Sequence, residues 1–453
     1  QPSGGLTMAK DTLDSKQFSN RLHLLGEGEI GGLINGAKSI YFNNTPLEND
    51  NGDRNFENVT YEERKGTSNQ TYIPITEFPS NIESTGFSTV AEDDTRVIQI
   101  TDTNVNAVKV IITVPGLYSI TDKGDYRGAE IKLEIAVKHD SENYVTKVSG
   151  DDGTIKGMTT DLYQREYLIN LTSGFTTADI KVTRISEDTD SDPRLFTEFQ
   201  WINYIPIKYQ QNTYPHSALV GIRLDAETFT SLPKVTFKVR GMKIKIPHNA
   251  TVRNDGSGSL SYSGTFNGTF KTDKYVTSDP AWILYDLLTN TRADGTAYGL
   301  GDLINSADLD VYSFYTSSVY CNKLIDDGTG TGATEPRFSC NVCINSAKEA
   351  YTVINQLSSV FRAMSYWSAG SIALSQDSPK SASYLFSLAN TIYPHFTYSD
   401  SSVNTRCTVA IVKYFDNELR DFNYEEVKDT VNIARYGHIV KNINAFATTS
   451  RGQ

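Results

Sequence analysis

Between residues 94 and 187 apolar and polar positions alternate, the period of strands buried on one side. Val108, Val110, Ile112 and Val114 share one face, and Ile131, Leu133, Ile135 and Val137 share another. Turn-forming runs separate such stretches at Lys123-Gly124-Asp125, at residues 149–153 and at Thr172-Ser173-Gly174, after which residues 180–185 alternate again. Regular strands with turn signals over this length predict a β-sandwich of fibronectin-III-like size. The flanks are strand-like too. Ser39-Ile40-Tyr41-Phe42 runs into Asn43-Asn44-Thr45-Pro46-Leu47, and residues 43–54 read as an exposed hairpin tip. Further on, Val235, Phe237 and Val239 alternate, the pattern breaks at Gly241 and resumes at Ile244 and Ile246, as in a bent or bulged strand. Residues 1–24 lack a sustained period and read as an arm, the acidic run 187–192 as a boundary loop, and the Ser/Gly/Thr-rich residues 249–268 as a loop.

Two stretches carry helix signals. Asp279 stands where a cap belongs, Pro280 suits the first helical position, and Trp282, Tyr285, Leu287 and Leu288 give an apolar side, predicting a helix near 279–290. Ser346 and Glu349 have the spacing of a capping box ahead of Ala350, Tyr351, Val353, Ile354, Leu357, Val360, Phe361 and Met364, predicting about five turns over 346–366. Residues 367–371 then turn into Ile372-Ala373-Leu374, and residues 408–415 form another strand pattern. The fold class expected is mostly β with an α+β C-terminal part. No period of 20 to 50 residues recurs, which excludes a solenoid or propeller.

Composition sharpens this picture. With 453 residues, 38% hydrophobic and 11% aromatic, the chain has the length of about three domains and is too apolar for a disordered one. The 26 Tyr and 20 Phe among many polar turn residues favour strands. The 42 Lys+Arg against 54 Asp+Glu leave a net charge of -12 without a basic block, so nucleic-acid binding is not indicated. No apolar run approaches the ~18 residues of a membrane helix, and Gln1 to Gly5 lacks a signal-peptide core. Because position 1 is Gln, the sequence is expected to begin inside a longer encoded protein.

Motifs of reaction chemistry fail on context. Gly26, Gly28 and Gly31 match the G-x-G-x-x-G spacing, but Glu27 and Glu29 sit where pyrophosphate would approach and a strand pattern follows instead of a helix, so a tight turn is expected. The runs 326–332 and 188–192 offer oxygen ligands without the closing Glu of a calcium loop and read as solvated loops. Cys340 and Cys343, with Cys321 and Cys407, lack the second C-x-x-C usual in a four-thiolate zinc site, and buried free thiols are expected. The six histidines His23, His139, His216, His248, His395 and His438 are scattered, and Glu425-Glu426 reads as a solvated face. Neither a metalloprotease helix, a nucleophile elbow nor a phosphate loop occurs, so no catalytic, cofactor or metal residues are assigned and no enzyme is expected. The positions singled out are architectural: Gly26, Gly28, Gly31, Gly36, Pro46, Gly241, Asp279, Pro280, Ser346 and Glu349.

At residues 25–40, continued by Asn43-Asn44-Thr45-Pro46-Leu47, the sequence resembles the tail-tip host-specificity protein J family of lambda-like siphophages. The resemblance returns at 153–160, at 214–221, at Val239-Arg240-Gly241, at 268–271, at Pro280-Ala281-Trp282 with 298–301, at 335–341, at Ile433-Ala434-Arg435-Tyr436-Gly437 and at 449–453. It departs locally at Gly28-Glu29-Ile30, Phe266-Asn267-Gly268 and Phe446-Ala447-Thr448. The resemblance implies a central tail hub: baseplate-hub-like β-barrel domains with an inserted sandwich. Its implied division is an arm at 1–24, a barrel domain from 25–93 and 188–270, the sandwich at 94–187, and a second hub domain at 271–453. It further implies a homotrimer that closes the distal end of the tail tube, contacts the tape-measure protein and other tail-tip proteins, and opens for genome ejection. DNA would pass without specific binding, helped by an acidic lumen. Host outer-membrane receptor contact would fall to regions beyond this chain, and the protein would be assembled in host cytoplasm into the virion. The alternatives are a receptor- or carbohydrate-binding adhesin module and an enzyme cutting envelope polymers.

Overall fold

A computed structural model describes residues 13, 18–74, 78–79, 83–87, 89–91, 94–187, 192–209, 212–225, 229, 231–291, 299–346, 348–392, 396–400, 402 and 405–453. Most of the expected arm, the centre of the acidic boundary loop and His395 lie outside the described residues. The molecule is mostly β, as its alternating pattern requires, with helices gathered in the C-terminal part.

Two segments far apart in sequence build one small core. The strand Ser217–Asp225 lies between Phe18–Glu27 and Thr60–Lys65, antiparallel to both. Beneath it Val220, Ile222 and Leu224 pack with Ile40, Phe42 and Leu47, all buried. Gly26 sits at a bulge in the first strand, where the register shifts between Leu24 and Gly26. The strand Ile40–Phe42 pairs on one side with Val235–Phe237 and on the other with Thr45–Pro46, so Pro46 takes an edge position where its missing N–H costs no ladder bond.

The long strand Val239–Pro247 links this core to the next. Its first half pairs with Ile30–Leu33 and its second half with Phe270–Val276. The interruption expected at Gly241 is instead at Lys238, whose N–H turns to Ser39 O (2.8 Å) and whose carbonyl accepts from Ile34 N (3.2 Å). Gly241 lies inside the strand, and the bulge falls between Lys245 and Pro247. Both ladder partners are remote in sequence, so local pattern could not place the break.

The sandwich follows its sequence pattern. In one sheet Ala129–His139 lies between Val145–Val148 and Ala178–Arg184, with Thr95–Ile100 beyond; in the other Ala107–Val114 lies between Tyr163–Asn170 and Gln200–Lys208. The two predicted apolar faces meet between the sheets, Val108, Val110, Ile112 and Val114 against Ile131, Leu133, Ile135 and Val137, all buried. Gln200–Lys208, from the stretch after the acidic run, adds Trp201 to that core and pairs at its outer edge with Phe78–Pro79 and Glu83–Ser84. Arg184 is buried among these strands with its charge satisfied: it donates to Ser186 O, Glu187 O and Thr197 Oγ1 at 3.0, 2.8 and 3.0 Å.

The chain passes from the first core to the sandwich and back beside one sheet. Lys65 pairs with Ala218, so the chain leaves and re-enters the sheet at neighbouring strands. Gln70 closes the gap: its Oε1 accepts from Gly66 N (2.9 Å), and its Nε2 donates towards Thr213 O, Tyr214 O and Ser217 O at 2.9, 2.6 and 2.9 Å.

A third core is α+β. Helices α1 (Pro280–Thr289), α2 (Val311–Cys321) and α3 (Ala350–Val360) pack with Ile244, Ile246 and Leu374 around Trp282, Phe314 and Phe361. α1 starts as its sequence predicts, with Pro280 in the first turn. α2, and the short α4 (Thr430–Tyr436), were not expected; Asp310 and Asp429 cap them, accepting from Tyr312 N (3.1 Å) and Asn432 N (3.0 Å).

The capping box of α3 is a correction. Ser346 lies outside the helix, Glu349 is itself the cap residue, and its side chain makes no capping bond. The helix also stops short of residue 366: Arg362 takes φ 54°, and Ala363–Ser368 becomes a strand paired with Ser371–Gln376. Met364, read as a helical apolar position, stands exposed on that strand.

Candidate assembly surface

The buried titratable groups of the third core form a sealed knot. Asp279 Oδ1 accepts from Trp282 N (2.8 Å), while its Oδ2 accepts from Ser318 Oγ and Asn322 Nδ2, both on or next to α2. Ser318 also bonds Tyr262, whose hydroxyl accepts from Trp282 Nε1 (2.9 Å), and Asn322 Oδ1 accepts from Leu260 N (2.6 Å). One carboxylate thus ties two helix ends to a strand. Burial pushes the Asp279 carboxyl above its ordinary range. Burial, with Asp279 adding to it, also raises the Tyr262 hydroxyl and the Cys321 thiol, and brings Cys340 up to about 12. Asp279 and Cys321 are buried within the third core, where burial disfavours their charged forms.

The glycine positions are likewise architectural. Gly28 turns the chain between the first two strands at φ 88°, its N–H on His216 O (2.6 Å). The segment is strand, turn, strand, the arrangement that defeats a dinucleotide loop. At Gly31 a Cβ would stand 2.6 Å from Arg240 Cβ and 2.8 Å from Val276 Cγ2, so the close approach of two strands needs glycine there. Gly36 opens a 3-10 turn, and Gly241 has open space around it. The four cysteines are free, Cys321 and Cys340 buried, Cys343 and Cys407 exposed. Among the described residues no three metal-ligating side chains come together.

The strand pattern read at residues 408–415 is the centre of an open sheet near the C-terminus, whose other two strands the sequence left unmarked. Its central strand, Val409–Asp416, pairs antiparallel with Asp421–Lys428 and parallel with Val440–Asn444. On these three strands only Val409 and Tyr414 are buried. Phe422, Tyr424, Val427, Val440 and Ile443 are exposed, and so are Tyr384, Leu385, Phe386 and Ile392 in the preceding segment, Ile392 to 95%. The register divides the sheet's exposed side chains: Phe422, Tyr424 and Val440 share the face of Val409, and Val427 and Ile443 share the opposite face with Tyr414. Several bonds fasten the sheet, among them Phe415 N to Thr448 O (3.3 Å), with Asn341 N on Ala447 O (2.9 Å) holding the tail that follows. Arg420, in the turn between the sheet's first two strands, donates to Asn44 O (2.9 Å), and Arg451 forks onto Glu425 at 2.8 and 2.9 Å. Beyond Arg451, Ser450 bonds Glu335, and Gln453 reaches Ser339 Oγ (2.9 Å) and Pro336 O (3.0 Å).

Comparison with known proteins gives this architecture a family. Residues 80–210 match the family model of the FNIII-A domain of tip attachment protein J, the region that holds the sandwich strands. Over 423 residues, 92% of the chain, it is 32% identical to tip attachment protein J of Escherichia phage SECphi27. Over 412 residues, 89% of the chain, it is 31% identical to that of Escherichia phage SECphi4. Among solved structures, the stem and receptor binding domain of spike protein P1 from bacteriophage PM2 aligns with 48% of this chain and 99% of its own at 10% identity, with a TM-score of 0.19, too low to bear on the fold. A β-rich chain with a fibronectin-III-like sandwich and this relationship is of the class of phage tail-tip structural proteins. It belongs to the tip attachment protein J family. The chain spans about a third of the length of these curated relatives, 34% of each.

Proposed function

We propose that this chain is the hub portion of the tail tip, a homotrimer that closes the distal end of the tail tube in the virion. In this reading the first core (18–74 with 212–237) and the third (from 239 onward) are hub domains, and the sandwich, which takes in Gln200–Lys208 as well as 94–187, projects from the first. The hub holds the tape-measure protein and neighbouring tail-tip proteins, is assembled in host cytoplasm, and opens for genome ejection. Receptor contact belongs to regions beyond residue 453. The net charge of -12 suits a passage through which DNA slides without binding. The role is mechanical closure and needs no reaction chemistry.

One observation carries the proposal: the relationship to tip attachment protein J runs over 92% and 89% of the chain in the two relatives. A density map of intact tails tests it. Three copies around the tube axis are expected; a lone copy on the side of the tail would sink it.

A further inference from the structure

Lys323 and Arg337 face each other at one end of a small hairpin. The strands Leu324–Asp326 and Thr334–Pro336 pair with Leu324 opposite Pro336, and one rung further Arg337 N donates to Lys323 O (3.0 Å). Cross-strand neighbours point to the same side of a ladder, so two cations stand side by side, which costs stability unless an anion lies between them. Among the described residues neither side chain makes a hydrogen bond or an ion pair. The carboxylate two positions before Arg337, that of Glu335, is engaged by Ser450 instead.

Arg337 carries the stronger signal. Its guanidinium carbon lies 4.6 Å from the centre of the Tyr320 ring; Tyr320 neighbours Phe338, with 6.3 Å between ring centres, and the Arg362 guanidinium is held 5.9 Å over Phe338. Stacking uses the flat face of a guanidinium and leaves its N–H edge to find acceptors. Arg337 Nε is buried without one. A buried donor left unpaired costs more than a typical hydrogen bond returns, whereas an oxyanion accepts two parallel bonds from a guanidinium.

Charge selects the ligand. Arg337 and Lys323 supply two positive charges, and Arg362 stands at the far end of the same aromatic row. A carboxylate or a phosphodiester brings one negative charge, whereas a phosphate monoester brings about -1.5 to -2 and three acceptor oxygens. We propose that Lys323 and Arg337 form a binding site for a terminal phosphate group, free or as a monoester on a larger molecule, held by the guanidinium edge with the lysine as the second charge. The site borders the third core through Phe338 and stands independently of the trimeric reading.

The test uses the whole 453-residue chain at constant ionic strength. Glycerol 3-phosphate is the soluble probe, phosphatidic acid in phosphatidylcholine vesicles the membrane probe, and acetate and dimethyl phosphate the singly charged controls. Calorimetric titration is expected to show saturable binding of glycerol 3-phosphate and none of the controls. Vesicle binding in addition supports a lipid source for the phosphate, and binding of the soluble probe alone supports a small ligand. Lys323→Gln and Arg337→Met are each expected to weaken binding by about tenfold or more. Arg337→Met keeps an apolar stem over Tyr320 while removing the buried donor, so without ligand it should melt at or above the temperature of the unmodified chain, whereas loss of a merely structural arginine would lower it. No binding of either phosphate probe, equal binding of acetate, unchanged affinity in both variants, or a lower melting temperature for Arg337→Met overturns the proposal.

Discussion

The guanidinium carbon of Arg420 lies 4.0 Å from the centre of the Tyr41 ring, joining two hairpins 379 positions apart in the chain. Arg420 stands at φ 55° in its turn, so the backbone itself is bent to deliver the side chain. Together with its bond to Asn44 O it fastens the C-terminal sheet to the first core. Arg420→Ala is expected to cost about 1–2 kcal/mol of local stability. Hydrogen exchange should show faster exchange over residues 409–428 with the sandwich amides unchanged; Arg420→Lys should recover little, since a lysine neither stacks nor forks.

The Asp279 knot predicts a large effect from one carboxylate. Asp279→Ala removes the cap of α1 and leaves Ser318 and Asn322 as buried donors without their acceptor. The expected loss is about 2–4 kcal/mol, read as a lower urea midpoint with helix signal lost together with the tryptophan fluorescence of Trp282.

The same residue sets a pH dependence with a definite sign. Folding raises the Asp279 value through burial, so between the unfolded value, about 3.9, and the raised folded one the native state holds the extra proton. Its contribution is full below the unfolded value and declines as pH climbs through the folded one. Urea melts at stepped pH should show Asp279→Asn lacking that decline; an unchanged slope, or one of opposite sign, would contradict the assignment.

Two neighbouring glycines should answer differently to the same change. Gly31→Ala drives a methyl into Arg240 and Val276 and should cost about 1–3 kcal/mol. Gly241→Ala meets nothing within 4 Å and should stay within about 0.5 kcal/mol of the parent, as thermal melts of the two would show.

Thiol accessibility gives a direct check of the third core. Cys343 and Cys407 are exposed, whereas Cys321 and Cys340 are buried with raised thiol values. An aromatic disulfide reagent should modify two thiols quickly in the native protein and the other two only on unfolding.

The sandwich was legible because one face of each strand is buried, and the alternation of Val108 to Val114 and Ile131 to Val137 records that burial in the sequence. α1 was legible because Asp279 and Pro280 act within one turn. The break at Lys238, the end of α3 and the pairing of Gln200–Lys208 with Ala107–Val114 were not, since each is decided by strands or turns that arrive from elsewhere in the chain. α2 escaped notice because its buried face joins one large apolar residue, Phe314, to Ser317, Ser318 and Cys321, which are too small or polar to make an apolar stripe. Of the open sheet only the central strand was legible, at residues 408–415; Asp421–Lys428 and Val440–Asn444 mix apolar and polar or charged residues on both faces, so they show no inside and outside.

Gln70 grips the exit and return of the chain at Gly66 and residues 213–217, so the first core does not depend on what the intervening loop encloses. A different module, spliced between those two points with its own ends close together, could be carried in the same socket. Descent with recombination can thus exchange the projecting part of such a tip while the machinery that seats it stays put.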